Sequence, residues 1–428
     1  MSVSRKKILI ACLGTRGDVQ PYSALAREFC RAGADVVLCT GEGFEEMIEA
    51  AGATARPLPI NYQTLLQDPD IREALFSLRG AVRSARRNMR LQQDVTLALW
   101  RAGLEEKPDL ILFNLKATVT TLVARRLNVP ALPTALQPVT APTGDFPVPL
   151  FGLPDLGRTF NRLSFPVFRQ LMRAGLASTM KPLRDEANKE LAVPGSHLDG
   201  HMPDGSKALS LQAYSRALVP TPSDWTEENW QCGYWLSEPD PEYQPSAELA
   251  AFLESGAAPV YLGFGSMPSK KPQRLTQAVL SALRITGQRA ILSTGWGGLE
   301  KDAIPVDLED RVLLLEKAPH SWLFPRCSAI VHHGGAGTTH EAVRWGKPSL
   351  ICPVFADQPF WGARLHGIGA GPAPIPQKKL APENLAAALR DLEKPGYRDE
   401  AERAAELMSS EPGARETARR LIERFLPR

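Results

Sequence analysis

The chain has 428 residues, 43 % hydrophobic and 23 % charged, with a formal net charge of +3. That length exceeds one ordinary hydrophobic core and points to two domains, while so small a net charge gives no overall case for nucleic acid. The six cysteines (Cys12, Cys30, Cys39, Cys232, Cys327 and Cys352) form no CxxC pair, which argues against a zinc site or a redox dithiol. They read as buried, reduced thiols of a cytoplasmic protein. The apolar stretch 8–13 is too short for a signal-peptide core, and no run approaches a membrane span.

Residues 7–13 read as a first strand ending in a turn that holds Gly14 and Gly17. A helical pattern follows from Pro21, with Leu25, Ala26, Phe29 and Cys30 on one face and Gly33 as the stop. Residues 35–40 form a second apolar run, completing a βαβ unit. Further on, Arg79, Arg83, Arg86, Arg87 and Arg90 share one helical face, roughly opposite Leu75, Leu78, Val82, Ala85 and Met89. Such a basic amphipathic helix either packs on its domain or meets anionic lipid headgroups. Strands are expected at 109–113 and 131–134. The Pro- and Gly-rich stretch 137–154 reads as a long loop, and loops of that length usually serve function.

A second series begins near residue 259. Strands are expected at 260–263, 290–293, 312–315, 329–332 and 349–353, with helices at 273–286 and 340–345. The first strand ends in the small-residue turn 263–266. Residues 224–245, with several Pro and Trp, are the candidate linker. Both halves predict parallel α/β sheets. The expected domains are 1–235 and 236–410, with 411–428 as a C-terminal helix that returns to the first domain.

The strongest local signal is Val331-His-His-Gly-Gly-Ala-Gly-Thr-Thr-His-Glu341, between a strand and a helix. Open α/β sheets bind ligands at that end. Glycines let backbone N–H groups approach closely, and a helix N-terminus favours anions. A diphosphate is the natural occupant, with His333 donating to a phosphate oxygen and Glu341 accepting from ribose hydroxyls. On composition alone, a glycine-rich turn with a Thr cap and a buried histidine remains open.

Residues 331–362 resemble the donor-binding signature of the family 1 glycosyltransferases. The match includes the histidine–glycine turn, Glu341, Gly346-Lys347-Pro348, and Pro353-Val-Phe-Ala-Asp-Gln-Pro-Phe-Trp-Gly362. Ala318-Pro-His-Ser-Trp-Leu-Phe-Pro-Arg-Cys327 resembles the family's uracil-side segment. Gly14-Thr-Arg-Gly-Asp-Val-Gln-Pro21 resembles the opening of the sterol glucosyltransferase-like and antibiotic glycosyltransferase branch. The resemblance covers essentially the whole chain. It implies the two-domain GT-B arrangement: two Rossmann-like domains whose parallel sheets face a central cleft, with acceptor in the N-terminal half and donor in the C-terminal half.

The same resemblance implies roles. His333, Gly335, Ala336, Gly337 and Thr338 would meet the diphosphate, Glu341 the ribose, Asp357 and Gln358 the sugar hydroxyls, and Ser266 a phosphate. Ala318, His320 and Trp322 would line the uracil pocket. Gly337 stands where the plant-type branch has Asn, and Lys317 where it has a base-stacking Trp, leaving Trp322 as the stacking candidate. The implied activity is inverting transfer of a hexose, with UDP-glucose the leading donor and dTDP-sugars occurring in related enzymes. The acceptor would be apolar: a sterol, a lipid or a polyketide- or flavonoid-like product. It would be received by Gln137, Phe146, Phe151 and Phe165. The nucleotide sugar is a co-substrate, with no separate cofactor. With no Asp-x-Asp pair near the loop, nucleotide binding without a divalent metal is expected. A cytoplasmic enzyme, peripheral to the inner face of a membrane through the basic helix, fits this reading.

Displacement at an anomeric carbon needs a base for the acceptor hydroxyl and stabilisation of the departing nucleotide. The helix start and His333 suit the second task. Asp18, in the turn after the first strand, suits the first. The alternative for Asp18 is a cap for the following helix. Other functions compete. A nicotinamide dehydrogenase would need a GxGxxG turn, which is missing. A nucleotide-sugar epimerase on the same fold would need no apolar acceptor pocket. A non-catalytic lipid-binding protein would have no need of His333, Glu341, Asp357 and Gln358 together.

Overall fold

The computed structural model describes residues 5–68, 78–192, 197–265, 272–294 and 304–427. Seven strands make the first sheet: β1 (Lys7–Ala11), β2 (Asp35–Gly41), β3 (Thr54–Leu58), β4 (Leu110–Phe113), β5 (Ala131–Ala135), β6 (Ser210–Gln212) and β7 (Asn229–Gln231). Their order is β3-β2-β1-β4-β5-β6-β7. Five make the second: β8 (Val260–Gly263), β9 (Ala290–Ser293), β10 (Val312–Leu315), β11 (Ala329–His332) and β12 (Ser349–Ile351), in the order β10-β9-β8-β11-β12. Every pairing is parallel. The central strands β4, β5, β8 and β11 are buried at every position, as parallel strands covered on both faces must be.

The helices that position the site are α1 (Arg16–Arg31), α2 (Leu78–Glu106), α3 (Arg158–Thr179), α4 (Pro272–Thr286), α5 (Ala336–Arg344), α6 (Gln358–Gly367) and α7 (Gly413–Phe425). No described helix is long and apolar enough to cross a membrane.

Two expected boundaries move. Helix α1 begins at Arg16, so Pro21 lies inside it rather than in its first turn. Proline has no N–H to give the carbonyl four residues back, which is here that of Gly17. Helix α5 begins at Ala336, four residues before the expected start, because its glycine-rich first turn is helical despite low propensity. Strand β7 falls within the stretch read as linker, and β6 in a stretch where no element was expected. At three residues each they are too short to show a period.

The largest buried cluster is shared by both halves. Val19, Tyr22 and Trp235 belong to it together with Ala336, Val343, Trp361 and Leu365. Helix α7 ends the chain against α1. Arg415 Nε lies 3.3 Å from Glu28 Oε2, and Trp235 Nε1 donates to Thr417 Oγ1 at 3.3 Å.

Candidate active site

In each sheet the strand order reverses once, between β1 and β4 in the first and between β8 and β11 in the second. The loops leaving two such strands part and open a crevice. All the strongest sequence candidates sit on these four loops or beside them.

At the first reversal, Asn114 after β4 ties the loop after β1: its amide donates to Leu13 O at 3.0 Å. Asp18 is the third residue of α1. Its carboxylate accepts from Thr15 N at 2.9 Å, which holds the helix start, and lies 3.6 Å from Lys116 Nζ. The capping role is therefore real, although Asp18 caps from inside the helix. The carboxylate keeps 23 % exposure, so its second face stays accessible. Lys116 and Asn114 were not anticipated; the only signal was a polar residue directly after a buried strand.

At the second reversal, the His333 ring lies in a slot between two glycines. A Cβ on Gly265 would stand 2.8 Å from its Cε1, and one on Gly335 only 2.7 Å from its Nε2. Burial pushes His333 down to about 4, against the pull of the Gly263 carbonyl, so the ring is neutral. Its Nδ1 finds no partner among the described residues. Gly334 turns the chain at φ +94°, and a Cβ there would stand 2.7 Å from Ile351 Cγ2. Helix α5 then starts, leaving the N–H groups of Ala336, Gly337 and Thr338 without intrahelical acceptors.

Glu341 is buried, and its carboxylate accepts from Trp345 Nε1 at 2.7 Å with Arg344 at 3.5 Å. Burial raises its pKa, opposed by Arg344 and Trp345. The loop after β12 ends at Asp357, and Gln358 opens α6. Ala356 takes a left-handed φ of +57°, a strained choice for a residue with a side chain. The Gln358 side-chain oxygen accepts from Val354 N at 2.7 Å. Asp357 accepts from Trp361 Nε1 at 2.8 Å. Burial, with the charge of Asp18 adding to it, pushes Asp357 up to about 6.

His340 is fully buried and bonded at both nitrogens. Nδ1 donates to Ala336 O at 2.7 Å, and Nε2 accepts from Ser215 N at 3.1 Å. It fastens α5 to the N-terminal half rather than facing a ligand. His332 is also fully buried, with Nδ1 accepting from Gly334 N at 3.1 Å.

In the segment expected to line a uracil pocket, His320 stacks on Phe324 at 4.4 Å and sits 3.3 Å from Tyr261 Oη. Arg326 lies over the Trp322 ring at 3.9 Å, so one face of that ring is already covered. Ala318 is half-buried before this turn.

The acceptor-side candidates divide. Gln137 is half-buried. Phe146 is buried but reaches Phe360 of the other half at 5.6 Å, with Arg364 over both rings at 4.8 and 4.9 Å. Phe165 is 0 % exposed and faces the core. The apolar surface of α3 lies on another face: Phe160, Leu163, Val167 and Leu171 are exposed at helical spacing, after exposed Leu156. Arg86, Arg87 and Arg90 are exposed on α2, with Arg87 paired to Asp68 at 2.7 Å. Ser266 and the side chains of Phe151, Arg79 and Arg83 lie outside the described residues.

Two parallel sheets, with the glycine-flanked start of α5 at one strand reversal and the Asp18 carboxylate at the other, have the architecture of a GT-B glycosyltransferase. Residues 8–143 match the glycosyltransferase family 28 N-terminal domain, and residues 301–424 the erythromycin biosynthesis protein CIII-like C-terminal domain. The chain is 35 % identical over 421 residues to a sterol 3-beta-glucosyltransferase of Arabidopsis thaliana, matching 95 % of this chain and 64 % of the relative, so it spans just under two thirds of that protein. It is 32 % identical to the O-mycaminosyltylonolide 6-deoxyallosyltransferase of Streptomyces fradiae, over 98 % of this chain and 97 % of the relative. The solved glycosyltransferase VinC in complex with dTDP has the same fold, with a TM-score of 0.66 at 19 % identity over 97 % and 98 % of the two chains. The chain belongs to the glycosyltransferase family that unites the sterol glucosyltransferases with the antibiotic glycosyltransferases.

Proposed function

We propose that the chain transfers a hexose, glucose foremost, from a UDP-sugar to a hydroxyl of an apolar acceptor, with inversion. The observation that carries this is the pairing of the two sheet reversals: Asp18 on one wall, and His333 with the start of α5 on the other. The sterol glucosyltransferase relatives favour a glucose donor and a sterol-like acceptor.

The acceptor O–H gives its proton to the Asp18 carboxylate as its oxygen bonds to the anomeric carbon. The bond from that carbon to the diphosphate oxygen breaks, and the nucleotide leaves with the electron pair. The free N–H groups of α5 and the neutral His333 ring meet the charge that builds on the diphosphate. Attack from the Asp18 side, opposite the leaving group, turns an α-linked donor into a β-glycoside. Glu341 holds the ribose, and Asp357 and the Gln358 amide hold the sugar. The exposed apolar residues of α3 offer an elongated acceptor a surface outside the cleft. Arg86, Arg87 and Arg90 on α2 suit anionic headgroups around a membrane-borne one.

His333→Ala should weaken UDP binding by roughly 1–3 kcal/mol, the scale of a lost hydrogen bond to a charged group. Calorimetry with UDP, and with dTDP in parallel, measures this; unchanged affinity for both removes the diphosphate from this loop.

Asp357→Ala should leave UDP affinity close to the parent's and lower turnover of the intact sugar donor by about tenfold or more, as expected for a charged hydrogen bond. A matching loss of UDP binding would show that Asp357 supports the loop instead of the sugar.

A further inference from the structure

Tyr234, in the segment joining the halves, is 5 % exposed, and its hydroxyl has no hydrogen-bond partner among the described residues. Buried hydroxyls without partners are uncommon and costly. The ring is firmly placed, stacked on His340 at 4.0 Å with planes 13° apart. The oxygen points at the first turn of α5: a Cβ on Gly337 would stand 3.2 Å from it. The space beside Gly337 belongs to a hydroxyl arriving from another part of the chain.

We propose that the Tyr234 hydroxyl donates a hydrogen bond to the donor diphosphate. This rests on the diphosphate lying at the start of α5. Burial and the charges of Asp18, Glu341 and Asp357 hold the phenol far above its ordinary range, so it remains a proton donor at any working pH. With the halves in contact as they are here, the oxygen is shut away from solvent. A cleft that closes on a diphosphate gives the hydroxyl its acceptor; a cleft that closes without an anion strands it. Tyr234 therefore links donor binding to closure.

The test is Tyr234→Phe, which keeps the ring and its stacking. Its Kd for UDP by calorimetry should rise about tenfold or more. Its melting temperature without UDP should be unchanged or higher, because a stranded hydroxyl is gone, and the UDP-induced rise in melting temperature should shrink. Gly337→Asn should weaken UDP binding in the parent, where the new Cβ displaces the Tyr234 oxygen. Parent-like UDP affinity in Tyr234→Phe, with His333→Ala weakened, overturns this role and leaves the donor site standing. Parent-like affinity in both variants overturns the donor site as well. Weakened binding accompanied by a melting temperature several degrees lower shows a structural role and overturns the proposal too.

Discussion

Asp18→Asn is expected to fold, to bind UDP as the parent does, and to lose roughly 10²- to 10⁴-fold in transfer, the usual cost of a missing general base. Asparagine keeps an oxygen for the Thr15 N–H, so the start of α1 survives. Lys116 loses a counter-charge, but it is half exposed and the pair is a surface one, so the effect on stability should stay within about 1 kcal/mol. The measurements are turnover of the variant and the anomeric coupling constant of the parent's product by NMR. Near-parental turnover takes Asp18 out of the mechanism and leaves it as a cap. An α-glycoside from an α-linked donor rules out a single displacement, whatever the variant does.

Acid should destabilise the fold through its buried histidines as pH falls below their ordinary range. His340 and His332 are fully buried and neutral; burial pushes His340 down to about 4 and His332 well below its ordinary value of 6.5. Between pH 6.5 and 4 the unfolded chain therefore binds protons that the folded chain refuses. The stabilisation is complete above pH 6.5 and is lost as pH falls through that window, on the order of 3 kcal/mol for the His340 ring, with His332 acting in the same direction. Protonating His340 also places an N–H where Nε2 now accepts from Ser215 N, and so sets two donors against each other between the halves. Urea unfolding from pH 7.5 to 4.5 checks this, with His340→Gln expected to flatten the slope by about one proton. A parent whose stability is level from pH 7.5 to 5 would sink the prediction.

Much of the fold could be read from the chain because its central strands are short apolar runs set between polar, proline or glycine residues. Four strands of the second sheet, 260–263, 290–293, 312–315 and 329–332, match their expected bounds residue for residue. The donor loop was legible for the same reason: His333 sits amid glycines that a helix would otherwise avoid. What stayed hidden depends on distance in space. Nothing in Cys232-Gly-Tyr-Trp-Leu236 shows that Tyr234 reaches Gly337, a hundred residues on. Lys116 looks like any surface lysine until β4 lies beside β1. Phe165 read as an acceptor contact because composition marks a segment as apolar, whereas the helical period decides which apolar side chains turn inward.

The chain passes between its halves beside Cys232 and again beside Gly413, and the two passages touch: Gly413 N donates to Cys232 O at 2.9 Å. Gly233, at φ +72°, leaves room for this, since a Cβ there would meet the Glu411 Cβ at 3.0 Å. Two links pinned side by side by a backbone hydrogen bond restrict how the halves can turn against each other, more than either link would alone.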